Sequence, residues 1–183
     1  VVSWSTLDWQ GAFGLALCQT AKDLDKRALF QDARFREALS IAVDRNLLNM
    51  TLMNGQSRPQ QAAPSPGALG YDPEWLTKWT EYNVERANQL LDEITEPWDR
   101  KEGTYRKMKG TNRDVEIVIS ISDPSVEGNY ITLLQSAYKA IGVKVLDKVD
   151  PEVMKSVLTN DVEAKFEGVS ITSPAIRPDQ IVP

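Results

Sequence analysis

The chain has 183 residues, enough for one substantial domain with a core and too few for two. A net charge of -5 and a pI near 4.9 argue against nucleic acid, whose phosphates demand a clustered Lys/Arg excess. With no histidine, Ser-His-Asp and Cys-His catalysis and the common His-based metal sites are excluded within the chain, and its one cysteine forms neither an internal disulfide nor a zinc cluster.

Near the start, Phe13, Leu15 and Leu17 alternate with Gly14, Ala16 and Cys18, which predicts a strand. Leu15-Ala16-Leu17-Cys18 superficially matches a bacterial lipoprotein cleavage site. However, Asp8, Trp9 and Gln10 interrupt the apolar run, and no Lys or Arg precedes the cysteine. The expectation is therefore a buried strand cysteine, with any export signal belonging to sequence outside this chain. No apolar run approaches the roughly 20 residues that a membrane-crossing helix requires.

Lys22 to Arg27 reads as a charged connector. A long helix is predicted from about Asp32 to Met53, with Phe35, Leu39, Ala42, Val43, Leu47 and Met50 on one stripe. Asp32 is its expected N-cap, and Asn54-Gly55 its stop. Pro59, Pro64 and Pro66 mark an extended segment. Asp72-Pro73-Glu74 then opens a short helix ending near Trp79, through a capping carboxylate and a proline in the first turn. Asn83 caps a helix over 84–94 that buries Ala87, Leu90, Leu91 and Ile94.

Glu96 to Asn112 is polar and reads as a hairpin or long loop. Val115, Ile117, Ile119 and Ile121 alternate with polar neighbours as a strand. A helix from Tyr130 to Ile141, stopped by Gly142, leads to a strand at 143–146. Asp150-Pro151-Glu152 opens the next helix, and Ala164 to Thr172 is the last strand. This strand–helix alternation predicts an α/β domain, with helices flanking a mixed, mostly parallel sheet.

Several of these blocks carry a family likeness. Asp32, Arg34, Arg36, Ala38, Leu39, Ser40, Ala42, Val43, Asp44 and Arg45 fit the pattern D-x-R-x-R-x-A-L-S-x-A-(I/V)-D-R, followed by Asn54-Gly55-Gln56. The Pro/Ala-rich stretch leads into Tyr71-Asp72-Pro73, and Tyr82 to Glu93 is similar to Y-D-x-x-K-A-x-x-L-L-D-E. Leu134 to Val145 is similar to L-Q-x-x-L-K-x-I-G-I-x-V. In this order the blocks resemble the family-5 extracellular solute-binding proteins, and Lys22-Asp23 with Lys26-Arg27 and Phe30 points toward large carbohydrate or oligopeptide binders.

The resemblance implies a periplasmic-binding-protein-like lobe over 1–183, the partner lobe and C-terminal return lying elsewhere. It further implies capture of an oligopeptide or oligosaccharide by lobe closure and delivery to the permease of an ABC importer, outside the cytoplasm. Such a protein is expected to be a monomer, without enzymatic turnover, cofactor, metal or nucleic acid. The same domain also occurs as the effector-sensing half of cytoplasmic transcription regulators, behind a DNA-binding segment of which this chain has no trace. Trp4 and Trp9, close to an implied hinge strand, are the candidate ligand-stacking rings. Ser170, Thr172 and Ser173, at a strand's C-terminal end, are the candidate hydrogen-bonding residues. Some relatives grip a peptide amino terminus with an acid after the last strand, but no acid occurs here before Asp179. The signature residues themselves read as structural: Arg36 and Arg45 pairing with acids or capping carbonyls, Asp44-Arg45 a stability pair, and Trp75 and Trp79 packing together or into the core. Trp98 is expected to cover its neighbouring loop.

Overall fold

A computed structural model of the chain describes residues 12–61 and 71–169. In chain order it contains β1 (Ala12–Leu17), α1 (Leu24–Gln31), α2 (Ala33–Ile41), α3 (Arg45–Met53), α4 (Pro73–Thr77) and α5 (Val84–Ile94). After them come β2 (Glu116–Ile121), α6 (Pro124–Lys139), β3 (Lys144–Val149), α7 (Val153–Leu158) and β4 (Ala164–Val169). The strands form one four-stranded sheet in the order β1-β4-β2-β3. β4, β2 and β3 run parallel, while β1 runs antiparallel to β4.

The long helix expected from Asp32 to Met53 is two helices, α2 and α3, and a further helix, α1, precedes it. Lys22 to Arg27 is not a connector: Asp23 caps α1 by accepting from the Asp25 and Lys26 amides, and the chain turns helical at Leu24. Asp32 then caps α2 as expected, accepting from Arg34 N. Asp44 caps α3 by accepting from Asn46 N and Leu47 N, which breaks the helix that the apolar stripe suggested. Each break leaves carbonyls without helical partners, and arginines fill them. Arg36 donates to Phe30 O at 2.9 Å and Gln31 O at 2.7 Å, and Arg45 donates to Ser40 O at 2.7 Å. Both therefore cap carbonyls, and neither hydrogen-bonds to an acid among the described residues.

Asn83 caps α5 as expected, accepting from Arg86 N, and Asp72 caps α4 through Glu74 N, with Pro73 in the first turn. α4 stops at Thr77, and Trp79 lies beyond it with a positive φ of 57°. Trp79 packs against the core, whereas Trp75 is exposed. α6 begins at Pro124, ahead of the expected Tyr130. Asp123 is its N-cap, and Glu127 reaches back to accept from the Ser122 and Asp123 amides at 2.7 and 3.0 Å. At the Asp150-Pro151-Glu152 opening, Asp150 accepts from Glu152 N at 3.0 Å, and the helix starts only at Val153.

One core joins the two halves. Phe30 and Phe35 stack with ring centroids 5.9 Å apart, and Ile41, Ala87 and Leu91 continue the apolar mass between α2 and α5. Ile117, Ile119 and Ile121 of β2 are buried beside Ile131 and Leu134 of α6. Removing a buried aromatic ring such as Phe35 to alanine costs about 3–5 kcal/mol. Cys18 lies one residue past β1 and is half-buried, so it is not the buried strand cysteine expected; its amide donates to Glu163 O at 2.8 Å.

Between the halves sits Arg106, whose side chain is fully buried. Its Nε donates to Ile141 O at 2.8 Å, Nη1 to Asp92 Oδ1 at 2.6 Å, and Nη2 to Asn88 Oδ1 at 2.9 Å. The guanidinium lies 5.0 Å from the Trp98 ring, within cation–π range. Burial disfavours its charge, and the bond to Asp92 acts in the opposite direction. Gly142 sits beneath: at φ 72° it would place a Cβ 2.9 Å from both Trp98 and Arg106, so only glycine fits this turn.

Substituting Arg106→Met should therefore destabilise the domain by about 1–3 kcal/mol, because the buried Asn88 loses its donor while the half-exposed Asp92 is met by water. Urea unfolding monitored by tryptophan fluorescence checks this. A second expectation concerns acid. The Arg113 guanidinium bonded to Asp23 lowers that carboxyl from 3.8 to about 2. A depressed folded value means that the charged form is favoured in the native state, so its contribution is complete above pH 3.8 and fades as pH falls toward about 2. Arg113→Leu should flatten the pH dependence of unfolding in that window while leaving neutral-pH spectra unchanged, as read by acid titration of the unfolding midpoint.

Candidate ligand-binding cleft

Parallel strands place all their carboxyl ends on one side, and connections leaving toward opposite faces open a crevice there. β2 is followed by α6 and the neighbouring β3; β3 is followed by α7 and then β4, on the far side of β2. At this edge lies a cleft of about 490 Å³. Its floor includes Ser120 of β2 and Lys165 of β4, its near wall Ser122 and Glu127, and its far wall the Pro151–Lys155 turn and the start of α7.

Local chemistry fixes the walls. The Glu127 carboxylate is held by the amides that open α6, and Glu152 pairs with Lys155 at 3.0 Å. The end of β3 is tied to β2 by Asp150 N donating to Ile121 O at 2.9 Å. Phe166 packs its ring against Tyr130 of α6, centroids 5.7 Å apart, and the Tyr130 hydroxyl reaches Met53 Sδ of α3 at 3.8 Å. Burial raises the Tyr130 phenol above its ordinary value, so it stays neutral. On the opposite face Lys165 Nζ lies 3.7 Å from Met154 Sδ of α7. The lining is thus hydroxyl, carboxylate, ammonium, thioether and aromatic, suited to holding a polar organic molecule.

The register also fixes how the chain joins this edge. β4 pairs with β2 only through Ile119↔Ala164 and Ser120↔Lys165, whereas it pairs with β1 along its whole length, from Leu17↔Ala164 to Ala12↔Val169. β2 ends at Ile121. Beyond it, β1 and β4 continue as a two-stranded ribbon past the sheet, so the incoming and outgoing chain run side by side at the cleft's edge.

Trp4, Trp9, Ser170, Thr172 and Ser173, the residues expected to meet ligand, all lie outside the described residues. Ser120, Ser122, Lys165 and Phe166 were not singled out. The signal for the first two was available, because serines at the carboxyl end of a parallel strand, followed by Asp-Pro, mark a crevice-lining turn. Lys165 and Phe166 carried no such signal, since only sheet order brings them there. Among the described residues, no group of three or more Cys, Asp or Glu side chains is arranged to hold a metal ion. No described helix is long and apolar enough to cross a membrane.

Residues 11–167 match the family described as bacterial extracellular solute-binding proteins, family 5 Middle. Among solved structures, an oligopeptide-binding protein OppA is 30% identical with a TM-score of 0.82, over 94% of this chain and 27% of its own. The ABC transporter-associated periplasmic binding protein DppA from Helicobacter pylori, in complex with the peptide STSA, is 19% identical with a TM-score of 0.66, over 92% of this chain and 28% of its own. The periplasmic binding protein MelB from Agrobacterium fabrum C58, in complex with stachyose, is 19% identical with a TM-score of 0.66, over 86% of this chain and 25% of its own. At that lower identity the likeness speaks for the fold alone. These structures are of binding proteins, and this chain spans about a quarter of their length, 25% to 28%. Comparison with curated protein sequences returns no match. The sheet with its flanking helices is the periplasmic-binding-protein-like fold expected from the sequence, and the chain belongs to the family-5 bacterial extracellular solute-binding proteins.

Proposed function

We propose that this chain is one lobe of a two-lobed extracytoplasmic binding protein that captures an oligopeptide or oligosaccharide and hands it to the permease of an ABC importer. The observation that carries this is the ribbon of β1 and β4. Two chain crossings, side by side and past the last rung of β2, form a connection that bends more readily than a packed interface. A second lobe attached there faces the cleft, so rotation about the ribbon closes one wall upon the other. A solute held by both lobes favours the closed form by its differential affinity, and the permease reads that closure.

Relatives that bind peptides and one that binds stachyose support an organic solute of several units, without deciding between the two classes. The protein acts as a monomer outside the cytoplasm in this reading, and binds without chemical turnover. Trp4 and Trp9 would stack on the solute, and Ser170, Thr172 and Ser173 would hydrogen-bond to it.

Calorimetry on the intact two-lobed protein, against a panel of short peptides and oligosaccharides, should find at least one solute binding at micromolar affinity or better. X-ray scattering should show the particle contracting when that solute is added. The isolated 183-residue chain should bind the same solute more weakly than about 1 mM, since one wall of the site is gone. Failure of every solute on the intact protein, or tight binding by the chain alone, would contradict the proposal.

A further inference from the structure

The chain has four methionines, and the fold exposes their thioethers unequally. Met108 is 5% exposed in the core, and Met53 is half-buried, its Sδ accepting from the Tyr130 hydroxyl at 3.8 Å. Met50 and Met154 are 65% and 63% exposed. These two stand in different places. Met50 lies on α3 with its Sδ over Gly55, whereas Met154 lies on α7 and lines the cleft. The remaining sulfur, on Cys18, is half-buried and lies 3.6 Å from the Thr20 hydroxyl oxygen.

The surroundings of Met154 decide what its oxidation does. Its Sδ lies 3.7 Å from Lys165 Nζ. A thioether sulfur is a weak acceptor, so this link between α7 and β4 is soft. A sulfoxide oxygen is a far better acceptor, and a charged donor strengthens the bond further. Lys165 takes part in another interaction as well; an ammonium group has three N–H donors, so the new bond requires none to be given up. α7 itself is lightly held, with six residues, no side-chain cap and no buried residue. A stronger tie to β4 therefore moves it at little cost.

Resting on the proposed capture of a solute outside the cytoplasm, where the setting is oxidising, we infer that Met154 is an oxidation site that regulates the cleft. Its sulfoxide bonds to Lys165 and draws the apolar lining of α7 away from the solute. With hydrogen peroxide as the oxidant, the sulfur lone pair attacks one peroxide oxygen, and an S–O bond forms as the O–O bond breaks. The proton on the transferred oxygen goes to the departing hydroxide, which leaves as water. Sulfur gives up two electrons and the peroxide takes them. A solute seated in the cleft covers Met154, so solute and oxidant compete for the same wall.

Peptide mass mapping of the intact two-lobed protein during peroxide treatment should find Met50 and Met154 gaining oxygen before Met53 and Met108. Oxidation of Met53 or Met108 ahead of Met154 would overturn the inference. Calorimetry then compares solute affinity before and after treatment, starting with tetra-alanine and maltotetraose as probes of the two solute classes. Whichever solute binds should bind about fourfold or more weakly after oxidation, the effect of losing roughly one methylene of apolar contact. The same solute should slow oxidation of Met154 but not of Met50. Met154→Leu should abolish the change on oxidation, whatever its own starting affinity, whereas Met50→Leu should keep it. Methionine sulfoxide reductase should restore the affinity. Unchanged affinity with Met154 fully oxidised, a change that persists in Met154→Leu, or one accompanied by loss of the native circular dichroism spectrum would overturn regulation through Met154 while leaving solute capture intact. Absence of binding by both probes and by the wider panel of peptides and sugars would sink the capture proposal, and the regulation with it.

Discussion

The buried guanidinium of Arg106 is the constraint on which the rest of the domain depends. It lies where the helical half, the loop carrying Trp98 and the turn between α6 and β3 come together, and it bonds to all three. A charge in such a place is tolerable only when every N–H direction is met, which fixes the relative positions of α5 and the sheet to hydrogen-bond precision. The backbone repeats the link, since Arg106 N donates to Gly142 O and Arg106 O accepts from Val115 N, at 2.8 and 2.7 Å. That last bond delivers the chain into β2, whose far end is the floor of the cleft. The cleft therefore inherits its geometry from an interaction at the opposite end of the same strand.

A second cation plays a related part nearer α1. Lys26 is buried and donates to Glu163 at 2.8 Å, while the same carboxylate accepts from Val118 N at 3.1 Å. Glu163 immediately precedes β4, so this pair sets where β4 begins beside β2. Shifting that start by one residue would turn Lys165 to the other face of the sheet and remove it from the cleft. Positioning by buried charge suits the proposed binding lobe, which would have to present the same wall each time it closed.

Much of this was legible in the sequence, for identifiable reasons. α5 was read to its ends because Asn83 supplies a cap and Ala87, Leu90 and Leu91 keep helical spacing. The break between α2 and α3 was hidden because the apolar stripe runs through Ala42 and Val43 without a glycine or proline, and only the Asp44 cap betrays it. The first turns of α6 were missed because Ser125, Gly128 and Asn129 have loop-like composition; Asp123 and Glu127 hold that turn by capping rather than by propensity. Cleft composition was less accessible. Ser120 looks like any polar residue on an alternating strand, and its meeting with Lys165 follows from a crossover that local periodicity does not encode. The residues expected to meet ligand lie outside the described residues, and the cleft's described lining consists of other side chains.

The adjacency of Ala12 and Val169 has a consequence for how such a protein is put together. Antiparallel partners have Cα atoms about 4.5–5.5 Å apart, so the domain occupies a long stretch of chain yet begins and ends at nearly one point. On the proposed two-lobed reading it would be an inserted cassette, whose place a tight turn could take. Exchange of this unit between related proteins would disturb only two neighbouring strands. On the proposed function, any solute preference built into its cleft would then change as a block.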